Sequence, residues 1–301
     1  MLVDLVNVET DDSLRLDGAL RFADDLSAAA DESAQQLAQD GAALGVDAVL
    51  MLHGAGGNFY SSTMMASLAG RFVSLGIAAL MANTRGHDGI STTTAPVGRR
   101  VQGAAYERVD ACRHDVSAWL GWLESRGYRR IGLLGHSLGA VKAIYSQAHD
   151  ARPRVAWLAA LSPPCLAHSR SLSDRRGAEF AEDFARATEL VRQGRGESLL
   201  EIRFPMPYVV SAESYVDKYG PEERYSILKH IDRVACPIVV SYGSAELPTS
   251  AAFREMPELL PAAAPQARLQ ITLVAGADHF YTSLHAELWA RLEAALRRVL
   301  G

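Results

Sequence analysis

Six short apolar runs, at residues 47–53, 77–83, 130–135, 155–161, 237–242 and 269–274, recur along this 301-residue chain. That rhythm constrains the fold more than any other feature. Consecutive apolar positions over so short a span suit strands buried on both faces. The stretches at 62–75, 106–125, 138–149 and 283–300 carry the apolar spacing of amphipathic helices, each long enough to cross over a sheet. The expectation is an α/β fold, with a mostly parallel central sheet and helices on both of its faces. Residues 2–8 and 14–22, separated by Thr10-Asp11-Asp12-Ser13, read as an antiparallel hairpin at one sheet edge.

The rhythm breaks once. Between the run ending at Leu161 and the one beginning at Pro237 lies an interval far longer than an ordinary connection. Residues 165–233 are therefore expected to form a mostly helical cap inserted into one core made of 1–164 and 234–301. Within that interval, 177–192 has helical spacing through Phe180, Phe184, Ala187 and Leu190, and Phe204-Pro-Met-Pro-Tyr208 reads as extended. Residues 23–45, rich in Ala, Gln, Asp and Ser, carry no recognisable chemistry and are expected on the outside as a solvated helix or loop.

Charge and composition narrow the partners. Asp plus Glu (35) outnumber Lys plus Arg (30), so no basic face is expected for a nucleic acid. Cys112, Cys165 and Cys236 are few, odd in number and widely spaced, which suits neither a disulfide framework nor a zinc site. The opening residues carry acids where a signal peptide carries bases, and no apolar run approaches the roughly 20 residues that span a bilayer. A cytoplasmic protein with no membrane partner is expected, its oligomeric state left open. There is no H-x-x-x-H or C-x-x-C spacing and no Gly-x-Gly-x-x-Gly after the first core run, so neither metal nor cofactor is expected.

The chemistry is concentrated in Gly135-His136-Ser137-Leu138-Gly139, which follows the apolar run Ile131-Gly-Leu-Leu134 and precedes the helical stretch from Ala140. A serine at so sharp a strand-to-helix turn is strained, and side chains two residues before and after it would collide with the neighbouring strand and helix. This arrangement resembles the α/β-hydrolase superfamily from residue 47 to the end of the chain. The resemblance makes Ser137 a nucleophile and takes one oxyanion-hole N–H from Leu138. The second N–H comes from the loop His53-Gly54-Ala55-Gly56-Gly57-Asn58, with Ala55 preferred and Gly56 in reserve. By the family's order of serine, acid and histidine, the base is His279 in Gly276-Ala-Asp-His279-Phe, and the acid is Glu246 in Gly243-Ser-Ala-Glu246.

Asp278 competes for the acid's role, but neighbouring side chains in an extended loop diverge, which favours Glu246. Asn83-Thr-Arg85-Gly-His-Asp88 also resembles a family segment, in which Arg85 is expected to anchor the oxyanion loop. His53 and His136 are expected to shape loops; His87, His114, His149, His168, His230 and His285 lack the setting of a base. Phe204, Met206 and Tyr208 are expected to face a substrate pocket, with Gly56 beside them. Because 165–203 holds seven Arg against seven Asp plus Glu, nothing there favours a strongly charged substrate. The resemblance implies a serine hydrolase acting on a carboxylic ester of a small to medium organic substrate. Thioesters, lactones and amides would use the same groups. The alternatives are a ligand-binding or signalling protein on the same scaffold, and an acyltransferase.

Overall fold

The computed structural model describes residues 2–22, 43–94, 98–150 and 154–301. Eight strands form one sheet, ordered β1 (Leu2–Glu9), β2 (Arg15–Phe22), β4 (Ala78–Ala82), β3 (Ala48–Leu52), β7 (Ile131–His136), β8 (Val155–Leu161), β11 (Ile238–Gly243) and β12 (Leu269–Val274). β1 and β2 are antiparallel to each other, and β2 is antiparallel to β4. All other neighbours run parallel, as the apolar runs require. The order turns back on itself between β3 and β7, because the chain moves outward to β4 before returning. In open α/β sheets the loops beyond the carboxyl ends of strands at such a reversal diverge and leave a crevice. Leu52 lies in register with Gly135, so the loop after β3 and the turn after β7 share that crevice.

The strands alternate between two cores. Leu50 and Leu52 of β3 face one side, against Val116, Trp119 and Leu120 of α2 (Cys112–Ser125) and Val141 and Ile144 of α3 (Leu138–Ala148). Val49 and Met51 face the other, against Leu68 and Phe72 of α1 (Thr63–Ser74) and Leu288 and Leu292 of α8 (His285–Leu300). Burying a side chain such as Leu68 or Phe72 contributes about 1.5–3 kcal/mol. α1 starts where Ser62 accepts a hydrogen bond from the Met65 amide, an N-cap that fixes the helix entry.

Three expectations needed correction. The helix expected from 106 begins at Cys112, after a short 3-10 turn at Val109–Ala111; the preceding residues instead carry Glu107 into the interior, where it pairs with buried Lys142. β12 is an edge strand, half-buried along most of its length, because only one neighbour covers its flank. A small hairpin, β5 (Ser91–Thr94) with β6 (Arg99–Gln102), was not visible in the apolar pattern. The expectation for residues 23–45 lies largely outside the described residues. At its end Leu44 is buried and its carbonyl accepts from Trp157 Nε1 at 2.9 Å.

The interval between β8 and β11 contains α4 (His168–Leu172), α5 (Gly177–Arg192), a hairpin of β9 (Leu199–Ile202) and β10 (Tyr208–Ser211), and α6 (Ala212–Tyr219). A further helix, α7 (Met256–Ala263), follows β11. Phe204 to Pro207 form the turn of the hairpin rather than a strand. Among the described residues, no helix is long and apolar enough to cross a membrane.

Candidate active site

Ser137 joins β7 to α3 with φ +55° and ψ −124°, a conformation seldom adopted by a residue bearing a side chain. Its amide donates to the Leu161 carbonyl at 2.8 Å, fixing the turn to the neighbouring strand. The flanking glycines are required by close approach. A Cβ on Gly135 would collide with the carbonyl of Gly139, and one on Gly139 with the carbonyls of Leu52 and His53. As the first residue of α3, Leu138 keeps an amide with no intrahelical acceptor.

Two loops from the far side of the sheet meet this serine. His279, after β12, has Nε2 2.9 Å from Ser137 Oγ. Its Nδ1 is 2.5 Å from Oε1 of Glu246, which follows β11 and is almost wholly buried. β11 and β12 are paired parallel neighbours, and that pairing brings the two loops side by side. The other carboxylate oxygen of Glu246 accepts from Ser162 Oγ at 2.6 Å and from the Gly243 amide at 3.3 Å. Tyr281 Oη lies 3.0 Å from Ser162 Oγ and donates to the Ser241 carbonyl at 3.0 Å.

Asp278 faces elsewhere, accepting from the amides of Phe280 at 3.0 Å and Thr282 at 2.9 Å. Those amide bonds, Thr282's foremost, hold its carboxyl below the usual range. His136 donates from Nε2 to the His279 carbonyl at 2.8 Å and so props the loop that carries the imidazole. Burial, helped by nearby His279, lowers its pKa to about 3, so the ring is neutral at ordinary pH.

The loop after β3 is held by His53. Its Nε2 accepts from the Thr84 amide at 3.0 Å, which places the ring proton on Nδ1, 2.8 Å from the Gly54 carbonyl. Burial, with Lys142 adding to it, lowers the His53 pKa to about 3. Asn58 donates to Asp88 at 2.8 Å, and the Asp88 amide donates to the Gly57 carbonyl at 3.0 Å. Arg85, expected to anchor this loop, does not. It forks between Asp115 at 2.8 and 3.0 Å and Asp12 at 2.8 and 3.0 Å, clamping the β1–β2 turn to α2. The loop is tied instead through Thr84 and Asp88, because the Arg85 guanidinium is taken up by the two carboxylates.

A cavity of about 330 Å³ opens on Ser137 Oγ, bounded on the sheet side by Ala55, Ser137, Leu138 and His279. Much of its other wall comes from the interval between β8 and β11, including Phe204, Met206, Tyr208, Lys218 and Tyr219, and part from Thr249 to Phe253 after β11. A second, wider cavity of about 530 Å³ shares Ala55, Ser137, Met206 and His279 and runs past His53, Met65 and Phe280. Gly56 lines neither; its α-carbon faces Ala104 and the Asp88 carbonyl, at a φ of +62°. Cys165 also lines the first cavity, where burial pushes its thiol above the ordinary range.

Sequence reasoning missed Ser162, Tyr281, Lys218 and Tyr219. Ser162 and Tyr281 matter through contacts across the sheet that leave no local pattern. Lys218 had a signal: in α6 the buried positions are Ala212, Ser214, Tyr215, Lys218 and Tyr219, so a lysine sits on the face turned inward.

Known structures share this architecture at low identity. The chain is similar to the alpha/beta hydrolase GrgF from Penicillium sp. sh18 (TM-score 0.71, 14% identity, covering 100% of this chain and 99% of that one). It is similar to Est1E from Butyrivibrio proteoclasticus, solved with ferulic acid bound (0.63, 12%, 96% of each chain). A soluble variant of monoglyceride lipase from Saccharomyces cerevisiae, in complex with a substrate analogue, matches at TM-score 0.64 and 14% identity over 99% of this chain and 96% of that one. No curated protein sequence matches the chain. The family model described as the alpha/beta hydrolase family matches residues 49–300, from the first core strand through the last helix. With the sheet order and the loops beyond its carboxyl edge, that match places the chain in the alpha/beta hydrolase family.

Proposed function

We propose that this chain is a serine hydrolase that cleaves a carboxylic ester of a small to medium organic substrate through an acyl-enzyme on Ser137. The observation that carries the reading is the unbroken line Glu246–His279–Ser137, at 2.5 and 2.9 Å, at the wall of a cavity of substrate size. In the proposed mechanism His279 Nε2 takes the hydroxyl proton as Ser137 Oγ attacks the carbonyl carbon. The Leu138 and Ala55 amides hold the tetrahedral oxyanion, and His279 returns the proton to the departing alcohol. Water, deprotonated by the same imidazole, then attacks the acyl-enzyme and releases the acid. Glu246 keeps Nδ1 protonated and stabilises the imidazolium that forms at each step.

Residues 165–233 act in this reading as a cap, since they supply the wall facing Ser137, including Phe204, Met206 and Tyr208. The two cavities meeting at Ser137 suit the two halves of an ester, one on each side of the scissile bond. Two proteins that share the fold are consistent with this reading: the yeast monoglyceride lipase, and Est1E, which binds ferulic acid.

The test is covalent labelling. A fluorophosphonate probe is expected to modify the wild-type protein once, at Ser137, and Ser137→Ala is expected to lose both labelling and hydrolysis of short-chain aryl esters. Labelling that persists in the variant would rule the mechanism out.

A further inference from the structure

The cavity beside Ser137 contains a cation for which the hydrolytic mechanism has no use. Lys218, in the last turn of α6, is 97% buried, and its side chain lines this cavity. Among the described residues it has no hydrogen-bond or ion-pair partner, and Glu107, the carboxylate that acts on it most strongly, is paired with Lys142. Behind the cavity lie the Glu107–Lys142 pair and neutral His53, and Glu107 acts on Lys218 electrostatically without pairing to it. Burial pushes the Lys218 pKa below its ordinary value; Glu107 opposes that shift and Lys142 reinforces it. An ammonium kept from water without a partner is unfavourable, and a chain gains nothing from holding it there unless something arrives to pair with it.

The other charged groups that line this cavity, apart from Arg175 at its rim, are engaged. The Asp174 carboxylate accepts from Ser250 Oγ and from the amides of Ala251 and Arg176. Arg176 donates to Glu179 and to the carbonyls of Pro205 and Arg203, while Arg175 is exposed at the rim. Tyr208 and Tyr219 also line the cavity beside Lys218, and burial holds both phenols protonated. Such phenols donate to an incoming oxygen anion without competing for the ammonium. Phe204, Met206, Leu166 and Phe253 give this cavity a largely apolar wall, interrupted by the hydroxyl-bearing Ser171, Thr249 and Ser250.

We infer that Lys218 receives a carboxylate of the substrate, so that the ester handled at Ser137 carries an acidic group at the end of an otherwise apolar segment occupying this cavity. The assignment of the scissile bond rests on the proposed serine mechanism; the anion site does not. A hemi-ester of a dicarboxylic acid is the simplest molecule of this kind. The inference also revises the sequence-based expectation of a pocket indifferent to charge, which weighed residues 165–203 and left out α6.

Binding separates the two readings. Monomethyl esters of hexanedioic to decanedioic acid, and the matching dimethyl esters, would be titrated calorimetrically into Ser137→Ala and into Ser137→Ala/Lys218→Met. The hemi-ester of best-fitting length is expected to bind Ser137→Ala at least about tenfold more tightly than its diester, and Lys218→Met is expected to collapse that ratio to within about twofold. Equal affinities at every length, or a preference that survives Lys218→Met, would overturn the assignment. The thermal midpoint is a second readout. Removing an unpartnered buried charge is expected to leave it unchanged or raise it, whereas a marked fall in both Lys218→Met and Lys218→Gln would make the lysine a structural counter-ion and overturn the assignment too. Fluorophosphonate labelling of the wild-type protein reports on the other reading: Lys218-dependent binding without labelling keeps the anion site and loses the hydrolase, and labelling without charge preference does the reverse.

Discussion

Glu246 Oε1 meets His279 Nδ1 at 2.5 Å from the loop after the neighbouring strand, while Asp278, next to the histidine in the chain, is turned to the amides of Phe280 and Thr282. Under the proposed mechanism the two acids therefore differ sharply. Glu246→Gln is expected to lower kcat by on the order of 10²-fold or more with the fold retained, because the imidazole loses the partner that sets its tautomer. Asp278→Asn is expected to change kcat far less. Steady-state kinetics on both variants, at matched thermal stability, check the order.

Ser162 provides a finer test, since its hydroxyl orients the carboxylate from the side opposite the imidazole. Losing a hydrogen bond to a charged group costs about 1.5 kcal/mol or somewhat more, which corresponds to a drop of roughly tenfold in rate. Ser162→Ala is expected to show a kcat loss of that size with KM little changed and with fluorophosphonate labelling retained but slowed. An unaltered kcat would remove Ser162 from the chain of groups that position the acid.

Gly139→Ala is expected to fail for steric reasons unrelated to chemistry. Its new methyl group would meet the backbone carbonyls of Leu52 and His53, neither of which moves without disturbing β3. A destabilisation of more than about 3 kcal/mol is expected, read as a lowered denaturation midpoint or as loss of folded protein. Gly70→Ala, on α1 with nothing within 4 Å of the added carbon, is the control.

Acid is expected to unfold the protein partly through two buried histidines. His53 and His136 have pKa values near 3 in the folded chain, each lowered first by burial, against 6.5 for the free side chain. The unfolded chain takes up these protons from about pH 6.5 downward while the folded chain does not. Stability from this source is thus full above pH 6.5 and is lost as pH falls from there toward 3, at up to about 1.4 kcal/mol per pH unit for each ring. Unfolding midpoints measured between pH 7 and 4.5 are expected to fall in the wild type and to fall less steeply in His53→Gln. Identical slopes would contradict a neutral, buried His53.

Arg85 is expected to matter for stability and little for catalysis. Burial opposes its charge, but Asp115 and Asp12 outweigh that and raise its pKa above the ordinary value. Arg85→Met strands the wholly buried Asp115 without a cation and is expected to cost about 3–5 kcal/mol. Chemical denaturation measures the loss, and KM of the remaining folded protein is expected to stay near the wild-type value.

How much of this the sequence itself determined follows from how far each signal reaches along the chain. Apolar runs and helical spacing are local, and they identified every strand of the main sheet and the hairpin at its edge. The Gly135–Gly139 motif is local too, since strand, strained turn and helix are contiguous, so Ser137 and Leu138 were legible without coordinates. His279 and Glu246 were legible through a resemblance, because the chain order of such loops follows from strand order. Gly56 and Arg85 went astray for one reason: where a side chain or a turn points depends on its neighbours in space. Arg85 turns away because Asp12, 73 residues earlier, and Asp115, 30 residues later, offer it carboxylates. Lys218 is the extreme case. Its position on the inward face of α6 is written in the sequence, but that Glu107 pairs with Lys142 rather than with it, and that the cavity it lines also reaches Ser137, depends on which distant residues the packed chain brings together.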